Sequence, residues 1–164
     1  MNKMLILLRG VSGAGKSTYA QRIRAKLKGL CGLTCIVCSA DDYFMKTGEY
    51  KYDRSKIGKA HEECKRQARQ AMNHDIPFVL VDNTNIVRAE FTDYIELAKE
   101  FGYITIEKIF GLDLNITELY ARGRHGVPID KVKITAQKLA DSVRNVEGQT
   151  IHKVNGILTV RIKS

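Results

Sequence analysis

Short apolar runs alternate along the chain with longer stretches whose apolar residues recur at helical spacing. The runs cover residues 4–8, 34–38, 78–81 and 103–106, the last continuing through Glu107 and Lys108 to Ile109 and Phe110. Unbroken apolarity over so few residues suits a parallel strand buried on both faces. The stretches between them predict helices over about 16–28, 55–73, 89–101 and 115–122, and Pro128 opens a further helix to about Val143. Proline fits a first helical turn because its missing N–H has no partner to lose there. Regular alternation of strand and helix predicts right-handed βαβ crossovers, hence an α/β fold built on a parallel sheet. After Gly148 the pattern changes. Residues 150–154, then Asn155-Gly156, then 157–162 predict two strands joined by a type I′ turn, a C-terminal hairpin at a sheet edge. With no internal repeat, low-complexity tract or linker, the expectation is a single domain over residues 1–164.

Composition narrows this picture only slightly. A hydrophobic fraction of 44% is that of a globular chain and excludes disorder or a collagen-like fibre. The first apolar run stops at Arg9-Gly10, short of the roughly 20 residues that span a bilayer and of the about 7–15 that form a signal-peptide core. A cytoplasmic location with no membrane contact is therefore expected, with Cys31, Cys35, Cys38 and Cys64 as reduced thiols. Cys35 and Cys38 have the spacing of a zinc knuckle. On a strand, however, residues three apart face opposite ways, and no second Cys-His pair follows. Small buried apolar side chains are the better reading.

The chemistry starts at residue 10. Gly10-Val11-Ser12-Gly13-Ala14-Gly15-Lys16-Ser17 is a Walker A pattern set between a predicted strand and a predicted helix. Glycines let successive backbone N–H groups curl around phosphate oxygens, and the helix directs its positive end at them. Lys16 can reach the β and γ phosphates, and the Ser17 hydroxyl can ligate Mg²⁺. Gly10, Ser12, Gly13, Ala14, Gly15, Lys16, Ser17 and the adjoining Thr18 are thus the candidate ATP-binding residues.

A kinase also needs a base, a metal-organising carboxylate and mobile positive charge over the phosphates. Asp41 and Asp42 follow the second strand at the edge where open α/β sheets bind ligands. Asp41 is the candidate base for an acceptor hydroxyl, with Asp42 capping a helix or facing water. Asp82 ends the third strand like a Walker B carboxylate that would hold the magnesium shell or orient Ser17, and Asn83-Thr84-Asn85 follows it into the same crevice. Arg122, Gly123, Arg124, His125 and Gly126 separate two predicted helices as a basic, glycine-punctuated segment that reads as a lid able to close over ATP or, alternatively, as a solvated loop. Residues 43–56 interleave Tyr43, Phe44, Tyr50 and Tyr52 with lysines and an arginine. That mixture suits base stacking on single strands or, equally, a loop whose rings cover the core.

Taken in order, Gly10 to Ser17, Ser39-Ala40-Asp41-Asp42-Tyr43, Glu49-Tyr50-Lys51-Tyr52, Val81-Asp82-Asn83-Thr84-Asn85, Arg122 and Val127-Pro128-Ile129-Asp130 resemble the P-loop polynucleotide kinase family, including the bacteriophage 5′-kinase domain. The resemblance implies a three-layer P-loop NTPase fold with sheet order 2-3-1-4. It also implies ATP and Mg²⁺ as cofactors, Asp41 as base toward a 5′-hydroxyl, Lys16 and Ser17 on ATP-Mg²⁺, Asp82 as an active-site carboxylate and Arg122 as a lid arginine. Two departures stand out. Phe44 occupies the position where the bacteriophage enzyme has an arginine that grips the acceptor's 3′ phosphate, and the Asp-x-Asp-Gly-Thr signature of a 3′-phosphatase is absent.

The expected activity is transfer of the ATP γ-phosphate to the 5′-hydroxyl of DNA or RNA. A charge of +9, from 27 Lys+Arg against 18 Asp+Glu, suits a polyanionic partner. Part of it nevertheless lies on the first helix as Arg22, Arg24, Lys26 and Lys28. A kinase of a small hydroxyl compound such as a nucleoside, modified nucleotide or sugar, and an ATP- or nucleic-acid-binding module without turnover, are the competing readings.

Overall fold

The computed structural model describes residues 2–45, 48, 50–123, 126–144 and 151–162. The four apolar runs form β1 (Met4–Arg9), β2 (Cys35–Cys38), β3 (Phe78–Asp82) and β4 (Ile104–Ile109), all parallel. The hairpin forms β5 (Ile151–Val154) and β6 (Ile157–Arg161), giving one sheet in the order β2-β3-β1-β4-β6-β5. The expected 2-3-1-4 core is present, and the hairpin extends it antiparallel beyond β4. Asn155 and Gly156 both have positive φ, 51° and 74°, as a type I′ turn requires.

Alternate residues of β1 explain the three layers. Leu5 and Leu7 join a core under α3 (Ile57–Asn73) and α4 (Thr92–Glu100), while Ile6 and Leu8 pack on the other face with Ala20, Ile23 and Leu27 of α1 (Lys16–Cys31). Each such leucine, fully buried, stabilises the fold by about 1.5–3 kcal/mol relative to exposure. Cys35 and Cys38 fall into these two opposite cores, so they share no site; Cys64 is buried too, and Cys31 is exposed. A third core joins Val11, Ile109 and Val160 to α5 (Ile116–Arg122) and α6 (Ile129–Arg144).

Several boundaries differ from the sequence expectation. A 3₁₀ turn over Arg54–Lys56, capped by the Asp53 carboxylate on Ser55 N–H at 2.9 Å, precedes α3, and another over Arg88–Glu90 precedes α4. Helix α1 runs on to Cys31 because Gly32, in the left-handed region, closes it by donating to Leu27. Pro128 sits just outside α6, its carbonyl accepting the Val132 N–H at 3.1 Å.

Candidate active site

The loop between β1 and α1 has the conformation its glycines permit. Gly10, Gly13 and Gly15 all have positive φ, and Gly13 lies so close to α5 that a Cβ built on it would meet Leu119 O at 2.0 Å. No side chain caps α1 and its first turn holds no acidic residue, so the helix presents its N–H groups and positive end to the loop. Lys16 begins that helix. The residue is 9% exposed, and its ammonium donates to Gly10 O at 2.8 Å and Val11 O at 3.0 Å, folding back over the loop. Burial pushes the Lys16 pKa down, against the nearby carboxylates of Asp82 and Asp41, which pull it up.

Strand tips bring these groups together through hydrogen bonds. Gly10 N–H donates to Thr84 O at 2.9 Å, and the Asn85 amide donates to Leu8 O at 2.8 Å, fastening β1 to the segment after β3. Asn83 accepts the Ala40 N–H at 2.9 Å, and the Ser39 hydroxyl donates to Asp82 O at 3.0 Å, fastening β2 to the same segment. Asn83 and Asn85 therefore brace the crevice from within. Asp82 is also buried, which raises its pKa, while the Ser17 hydroxyl donating to it and the charge of Lys16 oppose that rise. Ser17 and Thr18 are exposed.

Asp41 and Asp42 do not project straight from β2. They open α2 (Asp41–Phe44), a single helical turn that the sequence pattern missed. Ala40 occupies its cap position and Asp42 is exposed to water, the other of its two expected placements. Asp42 takes a bond from the Ser39 backbone, with partial burial and the Asp41 charge raising its pKa. Asp41 is exposed on the loop side, where its charge acts on Lys16 and Asp82, and it accepts a hydrogen bond from the Tyr50 hydroxyl at 3.2 Å. Of the aromatics in residues 43–56, Phe44 is core, Tyr43 and Tyr50 are half-buried against it, and Tyr52 is 54% exposed. Among its described residues the rings thus gather on Phe44, with Tyr52 tilted 5.4 Å from it and the most exposed of them.

Arg122 ends α5 in an exposed position, and Gly123 follows it beside Ser12. The root of the expected lid therefore rests on the phosphate loop; Arg124 and His125 lie outside the described residues. Helix α5 begins with a reciprocal cap in which Asn115 accepts the Glu118 N–H at 2.8 Å and the Glu118 carboxylate accepts the Asn115 N–H.

A second charged constellation, not anticipated from the pattern, lies directly behind the loop. Arg9, 1% exposed, donates to Glu107 at 2.6 Å, to Asn85 O and Ile86 O at 2.9 Å each, and to the Ser142 hydroxyl at 2.7 Å, with Phe91 stacked 4.5 Å from its guanidinium. It joins β1, β4, the post-β3 segment and α6 at the residue preceding Gly10. Its signal in the sequence was charge interrupting apolar strands, at Arg9 and again at Glu107-Lys108.

The mostly parallel sheet with the glycine loop after its first strand is the fold of a P-loop kinase-like domain. The chain belongs to the AAA domain family, which matches residues 5–147. NEDD4-binding protein 2 of Homo sapiens is 31% identical over 131 residues, 79% of this chain but 7% of that protein. Among solved structures, a chain of the Pnkp1/Rnl/Hen1 RNA repair complex aligns over 89% of this chain and 47% of its own length, with TM-score 0.69 and 18% identity. The Mycobacterium tuberculosis APS kinase CysC in complex with AMPPNP and APS aligns over 88% and 99%, with TM-score 0.56 and 17% identity. A gluconokinase from Sinorhizobium meliloti aligns over 87% and 78%, with TM-score 0.54 and 16% identity. At such identities the structural likeness is one of fold. The chain spans less than half the length of the human relative and of the repair-complex chain. The family implies use of ATP, typically with Mg²⁺, and no helix among the described residues is long and apolar enough to cross a membrane.

The close seat of Gly13 under α5 yields a direct prediction. Gly13→Ala adds a Cβ at φ 80° against a backbone carbonyl. The resulting strain of about 1–3 kcal/mol is expected to weaken ATP binding by roughly ten- to a hundredfold in a calorimetric titration. An affinity equal to the parent's would show that the loop and α5 separate freely.

Proposed function

We propose that this domain transfers the γ-phosphate of ATP to the 5′-hydroxyl end of a polynucleotide, with Asp41 as the general base. The observation carrying this is the convergence at one sheet edge of Lys16, Asp82 and Asp41, close enough for both carboxylate charges to act on the lysine. Asp41 takes the proton of the acceptor hydroxyl as that oxygen bonds to the γ-phosphorus; the bond to the bridging oxygen breaks and ADP leaves. Gly10, Ser12, Gly13, Ala14 and Gly15 line the loop whose backbone, with the N–H groups of Lys16, Ser17 and Thr18, receives the phosphates. Lys16 exchanges its bonds to Gly10 O and Val11 O for phosphate oxygens. Arg122, at the root of the lid, and Arg124 neutralise charge during transfer.

The residues present suit magnesium. Ser17 would ligate the ion while Asp82 orients the Ser17 hydroxyl and contacts the ion's water shell. Among the described residues no three His, Cys, Asp or Glu side chains are grouped so as to hold a metal ion by themselves, and magnesium usually keeps several waters and phosphate oxygens as ligands. When bound, the ion offsets charge on the β and γ oxygens.

For the acceptor, support comes from the +9 charge, from the exposed ring of Tyr52 near Asp41's segment, and from the Pnkp1 complex among the neighbours. The APS kinase and the gluconokinase, comparable in fold, favour the second reading of a small hydroxyl acceptor. One experiment separates the two: γ-labelled ATP offered with 5′-hydroxyl DNA and RNA oligonucleotides, nucleosides and sugars. Label is expected in oligonucleotides alone. Their apparent affinity should fall with salt on a logarithmic slope of about 0.7 per single-strand phosphate contacted. Label in a monomer would transfer the assignment to the small-molecule reading, and ATP binding without any label would leave a binding module.

A further inference from the structure

We propose that Tyr50 is a positioning residue that holds the Asp41 carboxylate in the orientation needed to meet the acceptor hydroxyl. The proposal deepens the reading of Asp41 as base and rests on it.

Asp41 stands at the start of a helix of only four residues and is itself exposed. A short side chain in such a place samples several rotamers unless something fixes it. Tyr50 does so by donating its hydroxyl to Asp41 Oδ1 at 3.2 Å. The phenol is in turn fixed to the same helix. Its ring packs edge-on against Phe44, centroids 6.2 Å apart at 67°, and Phe44 is 6% exposed in the main core. The backbone repeats the attachment, since Lys51 N–H donates to Phe44 O at 3.1 Å. Asp41, Phe44 and Tyr50 thus close a rigid triangle from core to carboxylate.

A carboxylate oxygen that accepts one bond retains capacity for others, so holding Asp41 in this way leaves it able to engage a hydroxyl. Burial, the Asp41 charge and the hydrogen bond itself push the Tyr50 phenol up to about 12, so it remains a donor at neutral pH. Asp42 on α2, Lys16 on α1 and Asp82 on β3 carry charge near Asp41. Tyr50 adds a neutral hydroxyl donor. The sequence offered this residue only as one of several rings in an aromatic and basic segment; its hydroxyl gives it a separate use.

The test is Tyr50→Phe, which keeps the packed ring and removes the donor, measured alone and in an Asp41→Asn background by single-turnover transfer from labelled ATP. Alone, it is expected to lower kcat about tenfold with KM for ATP and acceptor within about twofold and an unchanged melting temperature. In the Asp41→Asn background it should cost nothing further, because the group it serves is already gone. A rise in KM at constant kcat, or the same loss in both backgrounds, would overturn the proposal. Full turnover by Asp41→Asn itself would remove the base assignment and this role with it, and that arm is read independently of Tyr50.

Discussion

Replacing Asp41 by alanine is expected to slow phosphate transfer by about 10²–10⁴-fold, the contribution of one general base, while ATP affinity stays within about twofold. The split follows from where the residue stands. Phosphate recognition resides in the loop over residues 10–18, and Asp41 acts on Lys16 and Asp82 through its charge. The side chain is exposed at the head of α2, so its removal creates no cavity and leaves Phe44 in the core. Equal melting temperatures for parent and variant would verify that turnover alone was lost. Turnover at the parental rate would mean that the hydroxyl proton leaves by another route and that Asp41 has no part in the chemistry.

The largest stability effect is expected at Glu107. It is 2% exposed on β4, bonded to Arg9 at 2.6 Å, with Arg88 3.8 Å from its second oxygen. Glu107→Ala would leave the Arg9 guanidinium buried with three oxygen acceptors but no counter-charge. Breaking one side of such a pair costs about 3–5 kcal/mol, a large share of the roughly 5–15 kcal/mol that holds a domain folded. For a chain of this size the melting temperature should fall by roughly 6–20 °C. Replacing both members at once, Arg9→Met with Glu107→Leu, should cost markedly less than Glu107→Ala alone, because no isolated charge remains. If the single and double variants melt together, the ion pair is not what binds β1 to β4 and α6.

Much of this was readable from residue order. Residues 4–8 and 78–81 are apolar throughout, and only a strand covered on both faces tolerates that, so β1 and β3 were legible as central strands. Asn155-Gly156 placed the hairpin because few residue pairs accept two successive positive φ values. The phosphate loop was legible for the same reason, its glycine spacing having few alternative uses. What escaped were features set by tertiary contact. Helix α2 is too short to carry a period and exists because Phe44 anchors it. Asp42 faces water rather than capping because Ala40, already helical at φ −65°, takes the cap position. Arg9 looked like the end of an apolar run, since nothing near it in sequence announces Glu107 or Ser142 as its partners. The hydrogen bond from Tyr50 to Asp41 likewise depends on the chain turning back between them.

The hairpin beyond β4 also bears on how the molecule behaves among its own copies. Without β6, a six-residue strand would offer its backbone donors and acceptors to any passing extended chain. With the hairpin in place the outermost strand on that side, β5, is only four residues long, and Lys153 is tethered to Asp113 at 2.7 Å. The opposite border, β2, is equally short. Truncated borders of this kind give intermolecular sheet growth little to build on, so the folded domain should stay dispersed at the concentrations that enzymology requires.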